Sequence, residues 1–212
     1  MTIAWWCAFG LVAAVHLVAC ARGPERWRVA TKPLLMPALL GVYVTGAPEV
    51  FAPLVVAIVA AWIGDVLLLW GDRRLVWGGV AFFVCHVCYI GTFLRDVRTV
   101  PGWAWASLVP YALVTGVLVV RLRPGLGARA QTVSLYLATL GTLGVIAFLR
   151  WAHLGTVPAA LAWLGTLAFL VSDHVLMFDR FRRRLRRGNL VLMATYLAAQ
   201  ALIVGSFATA GR

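Results

Sequence analysis

Trp62-Ile63-Gly64-Asp65-Val66-Leu67-Leu68-Leu69 places a glycine and then an aspartate inside a run that is otherwise apolar and long enough to cross a bilayer. A partial echo follows at Leu170-Val171-Ser172-Asp173-His174-Val175-Leu176-Met177, again a small residue and then an aspartate. An ionised carboxylate in hydrocarbon costs at least ~2.5 kcal/mol on the mildest scale, so each aspartate is a functional candidate by default. The plainer reading of either is a polar group hydrogen-bonded between helices.

Composition sets the class around these runs. Of 212 residues, 63% are hydrophobic and 12% charged, and mean hydropathy is +0.92. Soluble domains run at about 45–50% apolar and about 25% charged, so this is an integral membrane protein. The net charge of +12 does not point to a nucleic acid, because the basic residues sit in the loops between apolar runs, the pattern of membrane orientation. Cys7, Cys20, Cys85 and Cys88 all lie within apolar runs and suggest no disulfide framework.

The apolar runs predict an all-α polytopic bundle of eight transmembrane helices, spanning approximately 3–21, 31–46, 50–70, 75–95, 102–120, 128–149, 157–178 and 189–209. The second is short and carries Pro33 and Pro37, which suggests a kink or tilt. Short turn-forming links join the spans, so residues 1–212 read as a single membrane domain. The loops after spans 1, 3, 5 and 7 hold fifteen of the nineteen basic residues: Arg22, Arg26, Arg28 and Lys32; Arg73 and Arg74; Arg121, Arg123 and Arg129; Arg180, Arg182, Arg183, Arg184, Arg186 and Arg187. The positive-inside rule therefore puts those loops in the cytoplasm and both termini outside. Leu17-Val18-Ala19-Cys20 mimics a lipoprotein processing site, but no basic residue precedes the first run, which reads as a retained span.

On this layout Asp65 and Asp173 each lie five residues before the inner edge of their span, about 8 Å deep at 1.5 Å per residue. They share a level and are expected to converge. Asp72-Arg73 and Asp179-Arg180 extend the echo, so spans 3–4 and 7–8 suggest a parallel four-plus-four repeat. Lys32 begins span 2 at the inner face; alone it reads as a snorkelling side chain. His86 and Tyr89 share one face of span 4, and Tyr196 and Gln200 one face of span 8. Cys85-His86-Val87-Cys88 is weak ground for a metal site, and the four histidines are scattered. Arg150 and His153 read as interface residues of an outer loop.

Lys32-Pro33, Gly64-Asp65-x-x-Leu68, His86-x-x-Tyr89, Ser172-Asp173 and Tyr196-x-x-Ala199-Gln200 occur in order on five spans. Together they resemble the YhhN family, the lysoplasmalogenases. The resemblance implies an eight-span hydrolase of the cell membrane that cuts the vinyl ether of a lysophospholipid. The products would be a fatty aldehyde and glycerophosphoethanolamine or glycerophosphocholine, with no metal or cofactor. It makes Asp65 and Asp173 the catalytic candidates and places Lys32, His86, Tyr89, Ser172, Tyr196 and Gln200 in substrate binding, toward the cytoplasmic side.

Vinyl ether hydrolysis independently suits these residues. It needs one acid to protonate carbon and one anion to stabilise the oxocarbenium ion, and two carboxylates supply both. Lys32 is placed to meet the lipid phosphate. Three alternatives stand beside this reading. A small proton-coupled transporter would use the same aspartates; a hydrolase of another lysolipid would use the same cavity; a zinc amidase of the ceramidase kind would need clustered histidines. The charge bias predicts that a reporter fused after Arg187 reads cytoplasmic and one fused at Arg212 reads external. Both reporters on one side would overturn the layout.

Overall fold

The computed structural model describes residues 1–182 and 184–208, with Asp72 and Arg73 described for backbone alone. The expectations resting on the Asp72 and Arg73 side chains, on Arg183 and on the terminus at Arg212 lie outside it. Among the described residues there is no strand, and eight α-helices follow in order: α1 Thr2–Arg22, α2 Glu25–Gly46, α3 Ala52–Leu68, α4 Leu75–Leu94, α5 Leu108–Leu126, α6 Ala130–Leu154, α7 Val157–Phe181 and α8 Gly188–Ala208. Short 3-10 turns lead into α4, α5 and α6.

Six of the described stretches are long and apolar enough to cross a membrane. One of them, Gly102–Leu154, has 53 residues, at about 1.5 Å each far more than one crossing requires. It folds back at Gly127, whose φ of 51° is open to glycine at little cost, and so divides into α5 and α6. The apolar α3, at 17 residues, is a turn shorter than a full crossing. Lipid-facing positions such as Leu11, Leu34, Ile63 and Val120 are exposed. Exposed tryptophans gather toward the helix ends, Trp27, Trp70 and Trp77 at the basic end and Trp103 and Trp105 at the other, the placement of an interfacial aromatic belt. The chain is a multi-pass helical membrane protein.

Six helices close a ring in which α2 packs on α3, α3 on α4, α4 on α6, α6 on α7, α7 on α8, and α8 back on α2. The other two are peripheral: α1 lies on α2 and α8, and α5 on α6 and α7. Several helix limits depart from the apolar runs. α2 begins at Glu25 rather than 31, because Pro24 and an acidic first turn start a helix well before the chain turns apolar. α5 runs from Leu108 to Leu126 rather than 102–120: Gly102–Ser107 is 3-10, and the helix carries Arg121 and Arg123 to the turn at Gly127. α7 continues to Phe181, capped at its start by the Thr156 side chain accepting from the Ala159 amide.

Pro33 and Pro37 lie inside one continuous helix. Pro37 has no N–H to give the carbonyl of Pro33, four residues back. The indole Nε1–H of Trp62 donates to that carbonyl instead, at 2.8 Å. One deleted helix hydrogen bond thus becomes a bond between α2 and α3. Trp62→Phe leaves this acceptor without a donor in an apolar setting, and should cost about 1 kcal/mol. A lowered melting temperature in detergent is the expected reading; unchanged melting would remove Trp62 from the account of the proline pair.

Candidate active site

The segment carrying Asp65 meets α2 at two neighbouring points. Trp62 holds the Pro33 carbonyl, and three residues on, on the same face, Asp65 Oδ1 lies 3.3 Å from the ammonium of Lys32. The other oxygen, Oδ2, accepts the Tyr196 hydroxyl of α8 at 2.7 Å. Asp65 is buried and Lys32 nearly so, their side chains 2% and 12% exposed. Gly64 is small for a reason of packing: a Cβ there would come within 2.7 Å of the Phe82 ring. Phe82 in turn stands edge-on against Tyr196, with ring centroids 5.8 Å apart. The glycine thus admits the ring that supports the hydroxyl on Asp65.

Asp173 is arranged alike with different chemistry. Its Oδ2 accepts the hydroxyl of Tyr136 on α6, and Nε2 of His86 on α4 lies 3.9 Å from the same oxygen. His86 is wholly buried, and among the described residues neither ring nitrogen has a hydrogen-bond partner. Ser172, in the place of Gly64, donates to the Leu192 carbonyl of α8 at 3.1 Å. Its partner is therefore backbone, across the α7–α8 contact.

The two carboxylates bond to separate partners, and an aromatic group lies between those partners. Phe169 packs edge-on to Tyr196 at 5.6 Å and to His86 at 4.7 Å, and His86 lies 5.3 Å from the Tyr136 ring. Cys85 lies buried beside His86. Tyr89 donates to Gln200 Oε1 at 2.5 Å, and the Gln200 amide nitrogen, also buried, has no partner among the described residues. The structure thus gathers Lys32, Asp65, Tyr196, His86, Asp173 and the Tyr89–Gln200 pair into the ring interior. Lys32 is paired with Asp65. Arg150, which reads in the sequence as an interface residue, is a buried strut: it grips Asp96 through Nε and Nη2 at 2.8 and 2.7 Å, with its guanidinium over Phe207. No three His, Cys, Asp or Glu side chains cluster as metal ligands among the described residues.

Two cavities open near the basic end. The larger, about 390 Å³, lies among α3, α4, α6 and α7, within the usual range of ligand sites. Its walls are apolar except for Arg129, Thr132, Tyr136 and Arg180. The smaller, about 120 Å³, is polar and holds Lys32 with His16, Glu25, Arg28, Arg180 and Asn189. Tyr136, Phe82 and Phe169 were not among the sequence candidates. Tyr136 is the lone tyrosine of its apolar run, and that is its only mark in the sequence.

Fold and site together define a multi-pass membrane protein with two buried carboxylate centres beside an apolar cavity. The chain belongs to the YhhN family, whose pattern matches residues 27–207. It is 30% identical over 201 residues to the uncharacterized membrane protein YhhN of Escherichia coli O6:H1, covering 92% of this chain and 94% of that one. It is 33% identical over 164 residues to the bovine lysoplasmalogenase TMEM86A, covering 70% of this chain and 62% of that protein. With human lysoplasmalogenase TMEM86B the identity is 31% over 147 residues, 69% of this chain and 59% of the relative. No solved structure matches it.

Charge compensation at Asp65 makes a stability prediction. Lys32→Met alone strands a buried carboxylate and should cost ~3–5 kcal/mol. Lys32→Met with Asp65→Asn should recover much of that loss, because no uncompensated charge remains. Melting temperatures of the two single variants and the double variant test this; additive losses would show that the ion pair is not a unit.

Proposed function

We propose that this protein is a membrane hydrolase that cleaves the vinyl ether of lysoplasmalogens, releasing a fatty aldehyde and a glycerophospho-headgroup. The observation that carries the reading is the difference between the two buried carboxylates. Asp65 has an ammonium beside it, while the partners of Asp173 are a tyrosine hydroxyl and a histidine. An uncompensated charge in such a setting is expensive, so Asp65 is the anion and Asp173 carries a proton. The names of the TMEM86 relatives support the substrate, and the 390 Å³ apolar cavity supports a lipid chain.

The reaction follows from that division. Asp173, whose partner Tyr136 lines the apolar cavity, gives its proton to the vinyl carbon one bond away from the carbon attached to oxygen. The resulting oxocarbenium ion is stabilised by the Asp65 carboxylate. Water adds to the carbon bearing the oxygen, and His86 takes its proton and returns it to Asp173. The hemiacetal then collapses to aldehyde and alcohol. Proton transfer of this kind contributes typically 10²–10⁴-fold to a rate.

The same proposal includes eight crossings with both termini outside, which puts the site toward the cytoplasmic side, and a parallel repeat of α1–α4 in α5–α8. Three facts support the repeat. The helix ring maps onto itself when α2, α3 and α4 exchange with α6, α7 and α8. Each aspartate is met by the second helix of its own half, through Lys32 or Tyr136, and by the fourth helix of the other half, through Tyr196 or His86. A small residue precedes each.

Asp65→Asn and Asp173→Asn should each lower kcat by at least ~10²-fold while the protein still inserts and purifies, and the double variant should lose little more. In heavy water the aldehyde should carry one deuterium on the carbon next to its carbonyl, and the saturated alkyl ether should bind uncut. Authentic aldehyde incubated in parallel controls for exchange. Aldehyde without deuterium above that control, or cleavage of the saturated ether, would sink the mechanism.

A further inference from the structure

The chemistry above draws on the polar cavity only through Lys32, yet the cavity is more elaborate than an ion pair requires. Glu25, Arg28 and Lys32 of α2 line it, spaced three and four residues apart and so on one helix face. Arg180 of α7 and Asn189 of α8 complete the polar wall. Its border with the apolar cavity consists of Leu68, Leu176 and Arg180, which line both. Leu68 and Leu176 stand three residues after Asp65 and Asp173, on the same faces as the carboxylates and about 4.5 Å further along each helix. A molecule lying through both cavities therefore crosses a border set about one helical turn from each carboxylate. Tail in one cavity, charged head in the other and the reacting bond between them is the layout of a single-chain lipid.

We propose that the polar cavity is a headgroup site for a zwitterionic phosphodiester, in which Arg28 and Arg180 face the phosphate and Glu25 faces the ammonium. The inference rests on the lysolipid reading and adds to it the residues that choose the headgroup. Lys32 is engaged by Asp65, so Arg28 is the α2 cation that serves the phosphate, and a guanidinium fork suits its oxygens. Glu25 opens α2 at the exposed rim, one turn beyond Arg28, where the far end of an ethanolamine or choline group falls.

Binding of uncleavable saturated-ether lysolipids in maltoside micelles tests this without relying on turnover. Three ligands share one chain and differ in headgroup: phosphoethanolamine, phosphocholine and phosphoglycerol, the last a phosphodiester with no ammonium. Glu25→Gln should weaken the first two by about fivefold, the upper end for an exposed ion pair, and leave phosphoglycerol unchanged. Arg28→Gln should weaken all three, as should Arg180→Gln where melting shows it folded. Equal effects of Glu25→Gln on the three ligands, or none, would overturn the ammonium assignment. Unchanged binding of all three in Arg28→Gln would overturn the headgroup site. A protein that shows these shifts but cuts no vinyl ether would keep its headgroup site and lose the proposed reaction. One that cuts vinyl ethers with no headgroup effect would do the reverse.

Discussion

A carboxylate buried among apolar helices has to be given a counter-charge or a proton, and most of the interior of this protein follows from that constraint acting twice. At Asp65 the counter-charge is Lys32, which is why α2 begins with a polar turn and carries a lysine into the bundle. At Asp173 the partners are Tyr136 and His86, and the wall around them is aromatic. The rings of Phe82, Phe169, His86, Tyr136 and Tyr196 fill the space between the two centres. They pack against one another around the two tyrosine hydroxyls, and Gly64 is small so that one of those rings can approach.

On the proposed repeat, the two halves of the chain offer the same positions and fill them differently. Lys32 answers to Tyr136, and Tyr196 to His86. A symmetric pair of carboxylates with identical partners would have no reason to divide acid from anion. Exchanging a cation for a phenol at one position is enough to divide them, which is the requirement of a reaction that protonates carbon and then stabilises a cation.

Much of this was legible in the residues. A glycine–aspartate pair in an apolar run announces both a membrane helix and a buried carboxylate, and Tyr196, His86 and Gln200 are readable as polar groups that share a helix face with a neighbour. Spacing within a helix is a local property, so those pairs survive folding. The partner of each carboxylate is not local. Lys32 lies 33 positions from Asp65 and Tyr136 lies 37 from Asp173, and only helix packing decides that they meet. Helix ends were similarly hidden where polarity and helicity part company. Arg121 and Arg123 leave the apolar run but stay in α5, and Glu25 to Arg28 precede the apolar run but belong to α2.

The bond from Trp62 to the Pro33 carbonyl bears on more than stability. Proline at position 37 leaves one carbonyl of α2 unclaimed by its own helix, and the indole that claims it sits one turn from Asp65. A helix surface is otherwise a periodic ladder along which a neighbour can slip by a residue or a turn at little cost. The unclaimed carbonyl is a single notch on that ladder. It fixes how far α3 is advanced along α2, and so brings the carboxylate level with the one lysine that can answer its charge.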